Sequence, residues 1–388
     1  MATFMRILRG ISSSRTHCIP CINPVPRERS LRHSTLGSIH DVVTDAVMDR
    51  AYEWLCERRK AYPDAADVWS FRHHWTEERE RIRAALIAST YRFGLLHRVT
   101  LATGEIMELW SARDALVLKC LALTLVQRLP RSSRCFHLKA DGVQKHGAKA
   151  ALREVMQYLG DARFVLKTDV KSYYASIDHF RLMDALADHV QDTRITTLVY
   201  QYLTRCAESG GEFFDHARGI SLGCPLSPVI GAFFLYRLDV ALERLGLFYV
   251  RYMDDILVLA PTRRKLRQAV RVVNQMFAAL GLEKAPNKTY IGRIEKGFDF
   301  LGYHVTPDEL TVSSQTWAKF LEQRHRRYAQ APRHLAVSRG GAYERRWWGW
   351  SAAGLKACMA WRSGEGYGGQ GSARAYPFVS DLDSCVPV

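Results

Sequence analysis

The amino-acid sequence predicts an α+β protein organised around an antiparallel sheet. Apolar residues at helical spacing dominate the first part of the chain, β-prone runs follow from Phe164, and two of these runs flank a short acidic turn. Helices and strands mixed in this order indicate an α+β domain. The chain has 388 residues, of which 47% are hydrophobic, so it can bury a large core and is neither wholly disordered nor collagen-like.

Helices are predicted where apolar residues recur every three or four positions, at 42–60, 75–93, 111–129 and 147–159. A β-prone run at 164–166 stops at Asp169, and Ser176 or Asp178 is placed to cap the next helix. The later elements are, in chain order, a Gly/Pro turn at 219–228, a helix at 229–245, a hairpin with strands at 248–252 and 256–259, a helix at 262–280 and a strand near 298–305.

The charge balance points to a polyanionic partner. Lys and Arg total 55 against 39 Asp and Glu, a formal charge of +16, and a folded protein with this excess usually binds nucleic acid. A soluble basic protein without such a partner is the alternative. No stretch approaches the roughly 18 consecutive apolar residues of a spanning helix, so no membrane association is expected.

The nine cysteines form no disulfide framework. Only Cys18 and Cys21 have C-x-x-C spacing, and no second pair or downstream His pair completes a zinc site. This usage predicts a reducing compartment, the cytoplasm, and mostly buried thiols.

The two ends differ in composition from the rest of the chain. Residues 1–45 are rich in Arg and Ser and nearly free of acids before Asp41, which predicts a basic disordered arm. A transit peptide and a start codon assigned too far upstream are the alternatives. Residues 362–388 are rich in Gly and Ser and are predicted to be a flexible tail.

The acidic turn of the hairpin is the first candidate site. Asp254 and Asp255 lie between two runs apolar enough to be buried, where carboxylates lose hydration and repel each other. A cation should compensate for them. Arg251 is one candidate, but in a strand its side chain points to the face opposite Tyr252, so a divalent metal is the better candidate. A solvated Asp-Asp turn at a hairpin tip is the alternative.

A third carboxylate strengthens the metal hypothesis. Asp169 ends the β-prone run at 164–168, where a strand tip would place it beside the hairpin tip in one sheet. Three carboxylates from two strand ends can hold two Mg²⁺ ions roughly 3.5–4 Å apart. Mg²⁺ prefers oxygen ligands and completes its shell with water and substrate phosphates. A basic protein with this centre is a candidate nucleotide polymerase.

Five short motifs occur in a characteristic order along the chain: 168–179 (TDVKSYYASIDH), 219–228 (GISLGCPLSP), 251–255 (RYMDD), 287–289 (NKT) and 300–303 (FLGY). Together they resemble the sequence boxes of bacterial reverse transcriptases of the group II-intron-encoded kind and their retron and phage-defence relatives. The similarity covers roughly 90–305 closely and 305–361 loosely.

The resemblance implies a right-hand polymerase with fingers, palm and thumb. The implied divisions are helical fingers at 46–160, a palm at 161–304 with part of the fingers inserted around 180–218, and a helical thumb at 305–361. It also implies two Mg²⁺ ions, with Mn²⁺ as a possible substitute, held by the carboxylates of Asp169, Asp254 and Asp255 and the backbone carbonyl of Val170.

The resemblance also implies roles for residues around the metal ligands. Tyr174 is expected under the sugar of the incoming nucleotide, where it would exclude a 2′-hydroxyl, and Lys288 is expected to protonate the departing pyrophosphate. Packing of either Tyr173 or Tyr174 in the core and a solvated Lys288 are the alternatives. The remaining implied contacts are Leu222, Gly223 and Tyr252 for the nucleotide, and Phe300, Leu301, Gly302 and Tyr303 for the primer. Arg324 and Arg327, basic residues of the presumed thumb, are also expected to contact the primer and template.

The chain departs from the family pattern at two places. Ser221-Leu222-Gly223 replaces the common Pro-Gln-Gly, so Leu222 cannot offer an amide to the nascent base pair. The usual basic box of the fingers is also missing, which leaves Arg98, Arg113 and Lys119 as the nearest cations for a triphosphate. Each of these three could equally be a helix-face charge.

The preferred hypothesis is an RNA-directed DNA polymerase of the bacterial cytoplasm. Its expected partners are an RNA template, a DNA or RNA primer and deoxynucleoside triphosphates, with a dedicated noncoding RNA or a role in phage defence as further expectations. One rival is a non-catalytic RNA-binding maturase-like or scaffold protein. The other, suggested by Leu222, is template-independent or protein-primed DNA synthesis.

Overall fold

The computed structural model describes residues 37–100, 106–138, 146–330 and 333–362. Most of the expected basic arm and nearly all of the expected tail lie outside these ranges. The expected boundary of the arm at residue 45 is too late, because a helix already begins at Ile39. Ser38 caps this helix in a reciprocal capping box with Asp41, and Ile39 and Val42 are fully buried.

The helices of the described residues are α1 (Ile39–Val42), α2 (Asp45–Arg58), α3 (Asp67–His73), α4 (Trp75–Ile87), α5 (Ala112–Arg128), α6 (Ala148–Tyr158), α7 (Tyr173–Ser176), α8 (His179–Ala187), α9 (Thr193–Leu203), α10 (Ser227–Phe234), α11 (Tyr236–Glu243), α12 (Arg263–Leu280), α13 (Ser314–Gln330) and α14 (Arg333–Arg362). The four helices expected before residue 160 are present, but the one expected at 75–93 ends six residues early, at Ile87. The helix expected at 229–245 is two helices, α10 and α11, which meet at Leu235.

The strands of the described residues are β1 (Leu96–Thr100), β2 (Ile106–Leu109), β3 (Phe164–Thr168), β4 (Cys206–Ser209), β5 (Glu212–Asp215), β6 (Phe248–Tyr252), β7 (Asp255–Ala260), β8 (Tyr290–Arg293), β9 (Phe298–Phe300), β10 (Tyr303–Val305) and β11 (Leu310–Val312). They form three sheets with the orders β2-β1-β4-β5, β6-β7-β3-β8 and β11-β10-β9. The second sheet is antiparallel throughout, which confirms the expected α+β class.

The two central strands of this second sheet, β7 and β3, are packed on both faces. Successive residues of β3 belong to different cores, since Val165 packs with α6 and the β9–β10 hairpin, whereas Leu166 packs with α12 and the helices on the other face. The same alternation holds in β7, where Ile256 and Leu257 face opposite cores. Two-sided burial fixes the strand register, because a slip of one residue would exchange the two faces.

The sheet β2-β1-β4-β5 was not expected, and it shows that the range 46–160 is not purely helical. Its first two strands lie within that range, and β1 pairs in parallel with β4, more than a hundred residues later. Such a distant partner leaves no local pattern in the sequence. The expected strand near 298–305 is likewise two strands joined at Leu301 and Gly302, and the helices expected from 305 begin at Ser314.

In the described residues, no helix combines the length and apolar composition that a membrane span requires. Five cysteines within the same ranges are free thiols, of which Cys120, Cys135 and Cys224 are buried and Cys56 and Cys206 half-buried. The expected C-x-x-C pair at Cys18 and Cys21 lies outside the described residues.

Gly219 lies where the Gly/Pro turn contacts the short helix α7. Its backbone N–H donates to the carbonyl of Ile177, and its φ is +83°. A Cβ at this position would lie 2.9 Å from Cα of Ala175, which is backbone and cannot move aside. We therefore expect Gly219→Ala to destabilise the protein by about 3 kcal/mol in urea denaturation, through backbone strain and overpacking together.

Gly210 supplies the matched control for this prediction. It also has a positive φ, +61°, but a Cβ there would meet nothing within 4 Å. Gly210→Ala is expected to lower the free energy of unfolding by only about 1 kcal/mol, from backbone strain alone. Equal losses for the two variants would contradict the close-contact explanation.

Candidate active site

The turn between β6 and β7 presents the two adjacent acids. Tyr252 pairs with Asp255, so Met253 and Asp254 form the two-residue tip of the hairpin. Met253 has a φ of +59°, a left-handed conformation that is unusual for a residue with a side chain. The backbone at the tip is therefore strained and must be held by its surroundings.

Asp169 lies beside this turn because of the pairing of β3 with β7. Thr168, the last residue of β3, pairs with Ile256, so the next residue, Asp169, adjoins Asp255 across the strands. The side chain of Asp169 is almost fully buried, and its backbone carbonyl accepts a hydrogen bond from Ala285 at 2.9 Å. The three acids expected to meet at one end of the sheet are neighbours there.

These acids are in an unfavourable electrostatic environment. Burial, followed by repulsion from Asp169, raises the pKa of Asp254 to about 6 and that of Asp255 to about 6. Lys288 partly compensates: its Nζ lies 3.0 Å from Oδ2 of Asp169, and this hydrogen bond raises the pKa of Lys288. Lys167 on β3 also lowers the pKa of Asp255.

The acids are neighbours but do not form a closed ligand set. Within the described residues, no group of three or more His, Cys, Asp or Glu side chains is arranged tightly enough to hold one ion. A divalent cation of the Mg²⁺ type still fits, since Mg²⁺ usually takes one or two protein carboxylates and completes its shell with water and phosphate oxygens. The raised pKa values of Asp254 and Asp255 mark a place where added positive charge would be favourable.

A buried ion pair supports the turn from inside the protein. Arg251 is fully buried, and its Nε lies 2.8 Å from Oδ1 of Asp239 on α11, which is also fully buried. Its Nη1 donates to the carbonyl of Met253 at 2.8 Å. The strand alternation predicted that Arg251 would point away from the site acids, and it does not neutralise them. It pairs with Asp239 and holds the strained turn.

His137 binds the backbone of the same residue, Met253, at its N–H. Its Nδ1 accepts the backbone N–H of Met253 at 3.0 Å, which leaves Nε2–H to donate to the carbonyl of Pro228 at 3.2 Å. Burial, followed by the charge of Arg251, lowers the pKa of His137 to about 3, so the ring stays neutral. The acidic turn is thereby tied to the Gly/Pro loop at 219–228.

Sequence reasoning missed both His137 and Asp239. Neither belongs to a motif, and each reaches the turn only through the fold: Asp239 from a helix, and His137 from a segment that bridges β6 at Cys135. The one available signal was the placement of Arg251 within an apolar strand, since a buried arginine requires an acid.

Tyr173 and Tyr174 divide the two expected roles. The Tyr173 ring is buried and its hydroxyl donates to the carbonyl of Gly231, so this residue packs in the core. Tyr174 is half-buried and lies beside the site, with its hydroxyl 3.9 Å from Sδ of Met253; burial and the nearby Asp254 raise its pKa. Both residues belong to the short helix α7.

The loop carrying Leu222 and Gly223 is held rigidly although Leu222 itself is exposed. The indole N–H of Trp110 donates to Oγ of Ser221 at 3.0 Å, and Ser227 donates to the Ser221 carbonyl at 2.5 Å. The Leu222 side chain is 52% exposed, and Gly223 has a φ of +82°. The serine that replaces the family proline thus makes a buried hydrogen bond that proline could not make.

Backbone interactions surround the expected ligand Val170. The Lys171 N–H donates to the carbonyl of Glu283 at 2.9 Å, and Val170 bridges to Lys284. The side chain of Val170 is buried in the core. Tyr252, expected near the nucleotide, meets the His137 ring edge-on at a centroid distance of 6.2 Å. It also packs on the second core, which is the one formed with α6 and the β9–β10 hairpin.

The structure does not bring the expected triphosphate cations to the acids. Arg113 pairs with Glu78 at 2.5 Å, and Lys119 lies over the ring of Trp54. Arg98 on β1 forms a salt bridge with Glu108 on β2 at 3.7 Å. These cations act within the helical layer and the first sheet, so their assignment to the nucleotide is not supported.

The expected primer contacts are largely structural. Phe300 and Tyr303 face each other across the β9–β10 turn and are both buried, and Trp350 packs over Gly302 between them. Only Leu301 and Gly302 at the tip are partly accessible. The physical reason is the tight turn, which places the two aromatic rings on one face of the hairpin, against the second core.

Arg324 and Arg327 on α13 brace the two C-terminal helices. Nε of Arg324 lies 2.5 Å from Oε1 of Glu344, and the Arg327 guanidinium stacks over the Tyr343 ring at 4.7 Å. Both cations are thus engaged by α14.

The α+β fold and the acids at the strand ends define a polymerase-type domain. Residues 115–305 match the family of reverse transcriptases (RNA-dependent DNA polymerases). Residues 115–305 therefore form a reverse transcriptase domain, of the nucleotidyltransferase type, and the resemblance found in the sequence is confirmed.

Known relatives are similar at low identity. Group II intron-encoded protein LtrA of Lactococcus lactis subsp. cremoris is 24% identical, over 35% of this chain and 22% of that protein. Protein YkfC of Escherichia coli K12 is 22% identical, over 44% of this chain and 55% of that protein. The chain thus spans at most about half the length of these curated relatives.

A solved complex described as a partial Cas6-RT-Cas1–Cas2 complex shares 16% identity with this chain. The match covers 62% of this chain and 41% of that one, with a TM-score of 0.37. The overlap is too low to add to the assignment.

Removal of Arg251 tests the buried ion pair. Arg251→Met would leave Asp239 buried without a cation, so we expect a loss of about 3–5 kcal/mol in the free energy of unfolding. The double variant Arg251→Met/Asp239→Leu should recover a large part of this loss, since no unpaired charge remains. Arg293→Met, which breaks an exposed pair with Glu295, is the control and should change stability by less than about 1 kcal/mol. A double variant no more stable than Arg251→Met would contradict this account.

The acids should make stability depend on pH in the absence of divalent cations. Asp254 and Asp255 hold their protons up to about pH 6 in the folded protein, but carboxyls in the unfolded chain lose them near pH 4. Between these two pH values the folded protein therefore binds more protons than the unfolded chain. The stability that the protonated carboxyls of Asp254 and Asp255 contribute is present below about pH 4 and is lost as the pH rises through about 6.

Asp254→Asn checks this sign by thermal denaturation in EDTA. The variant should be more stable than the unmodified protein at pH 7.5, and the difference should shrink toward pH 4.5. Added Mg²⁺ should stabilise the unmodified protein more than the variant. A less stable variant at pH 7.5 in EDTA would show that repulsion is not the dominant effect.

Proposed function

We propose that the protein is an RNA-directed DNA polymerase that extends a primer with deoxynucleoside triphosphates. The observation that carries this proposal is the strand register, which makes Asp169 a neighbour of Asp255 at one end of a sheet whose two central strands, β7 and β3, are packed on both faces. Acids kept together at such a position destabilise the protein by themselves, so their arrangement favours a catalytic role over a non-catalytic scaffold. The reverse transcriptase domain supports the same activity.

Asp169, Asp254 and Asp255, together with the backbone carbonyl of Val170, would hold divalent cations, Mg²⁺ or Mn²⁺. When bound, such ions activate an attacking hydroxyl and stabilise the charge that develops on the phosphates. Lys288 keeps a proton at Nζ next to Asp169 and would present it to a leaving pyrophosphate. His137 and Arg251 hold the turn so that the acids keep one geometry.

Substrate selection is assigned to the exposed groups beside the acids. Tyr174 borders the site through Met253, where its ring would oppose a 2′-hydroxyl. Leu222 projects from a braced loop and offers apolar contact alone, so the nascent base pair would be judged by shape at this position. Gly223 would let the loop approach it closely.

The domain roles follow from the family. Residues 46–160 with the insertion near 180–218 would act as fingers, the sheet β6-β7-β3-β8 as the palm, and α13 and α14 as the thumb. Template RNA, a DNA or RNA primer and a dedicated noncoding RNA are the proposed partners, in the bacterial cytoplasm.

Primer extension on an RNA template, with Mg²⁺ and with Mn²⁺, tests the proposal. The unmodified protein should extend the primer, and Asp254→Asn should lose about a thousandfold in rate, since stabilisation by metal ions is worth several kcal/mol. Asp161→Asn, which removes an exposed acid away from the site, is the matched control and should retain full activity.

Two outcomes would redirect the assignment. Equal extension by Asp254→Asn and the unmodified protein would place catalysis elsewhere. Product made without any template would favour template-independent synthesis, the alternative that Leu222 suggests.

A further inference from the structure

Helix α12 carries an unusual set of charges. Its first nine residues contain five cations, and the whole helix contains no acid. All five side chains are exposed, whereas the stripe Leu266, Ala269, Val273, Phe277 and Leu280 is buried against the sheet. We call the cationic set the basic half of α12; it consists of Arg263, Arg264, Lys265, Arg267 and Arg271.

These charges oppose the stability of the helix that carries them. Three cations occupy the first turn, next to the positive end of the helix dipole, where acids are preferred. Arg263, Arg267 and Arg271 follow one another at intervals of four residues, so like charges face each other along one ridge. Among the described residues, no carboxylate forms a salt bridge with any of the five. Selection for folding alone would not give this arrangement.

The basic half of α12 lies far from the site acids. Strand β7 starts at Asp255 and ends at Ala260, and α12 then runs back along the sheet, since the chain after it bridges Val170 through Lys284. The 18 residues of the helix span about 27 Å, so its first residues lie at the opposite end of the sheet. Exposed Arg163, whose N–H donates to the Ala260 carbonyl, adds a cation there.

We propose that the basic half of α12 binds the sugar-phosphate backbone of nucleic acid that extends beyond the catalytic cleft. Four of the five cations are arginines, whose planar guanidinium groups match phosphate oxygens in pairs. The ridge repeats every four residues, about 6 Å along the helix, so it can follow an extended anion. The inference rests on the proposed function only in taking nucleic acid as the polyanion.

A charge-matched pair of variants tests the inference. The first is Arg263→Gln/Arg267→Gln/Arg271→Gln; the second, Arg58→Gln/Lys60→Gln/Arg81→Gln, removes three exposed cations elsewhere. Binding is measured against salt for a short RNA–DNA duplex confined to the cleft and for the same duplex with a long RNA extension. The first variant should bind the extended RNA roughly tenfold more weakly, with a salt slope smaller by about two to three, and should bind the short duplex normally. The second should match the unmodified protein on both.

Thermal denaturation separates lost binding from lost folding. Because the substitutions remove cations from the helix N-terminus, the Tm of the first variant should rise while its RNA affinity falls. The same duplex with a DNA extension shows which part of the nucleic acid is recognised. If the first variant loses affinity for both the RNA and the DNA extension, the helix recognises the phosphate backbone; if it loses affinity for the RNA extension alone, the ribose contributes. Either result supports the inference.

Two results would overturn the inference. The first is an unchanged affinity of the first variant for extended RNA, which would favour an acidic protein as the partner of these charges. Equal losses on the short and the extended ligands would mean that α12 serves the cleft itself. The test is independent of catalysis, because it measures binding and the substituted arginines lie at the opposite end of the sheet from the site acids.

Discussion

The antiparallel pairing of β3 with β7 is the constraint on which the site depends. It sets Thr168 opposite Ile256 and thereby makes Asp169 the neighbour of Asp255. The pairing cannot slip, because alternate residues of both strands are buried in two separate cores, one on each face of the sheet. Hydrophobic packing on two faces thus determines the position of polar groups at the end of the sheet.

The polar groups at that end are arranged against their own stability. Asp254 and Asp255 are buried and repel Asp169, and Met253 has a left-handed backbone. Such strain persists only where surrounding interactions enforce it. Here Arg251 binds the backbone carbonyl of Met253 and His137 binds its backbone N–H. Neither side chain changes charge near neutral pH, because the arginine stays protonated and His137 is buried as the neutral ring. The turn is therefore fixed by groups that do not respond to the conditions of catalysis.

The parts that could be predicted from sequence are those with a local cause. The hairpin, the strand before Asp169 and helix α12 each have a continuous pattern within one segment, and all three are present. The sheet built from β1 and β4 has no local signature, because its pairing joins distant segments. Arg113 shows the limit for sites. Its position in the sequence suggested a phosphate contact, but its partner Glu78 comes from another helix that only the fold brings near.

Unfavourable charge occurs at both ends of the central sheet, with opposite signs. The acids at one end carry excess negative charge among buried groups, and the basic half of α12 carries excess positive charge at the other. The two sets cannot neutralise each other, because the length of the helix separates them. We propose that each set takes a partner from outside the chain: divalent cations at the acids and a polyanion at α12. A long nucleic acid would serve at both places, since its phosphates could complete the cation shell in the cleft and also reach the arginines beyond it.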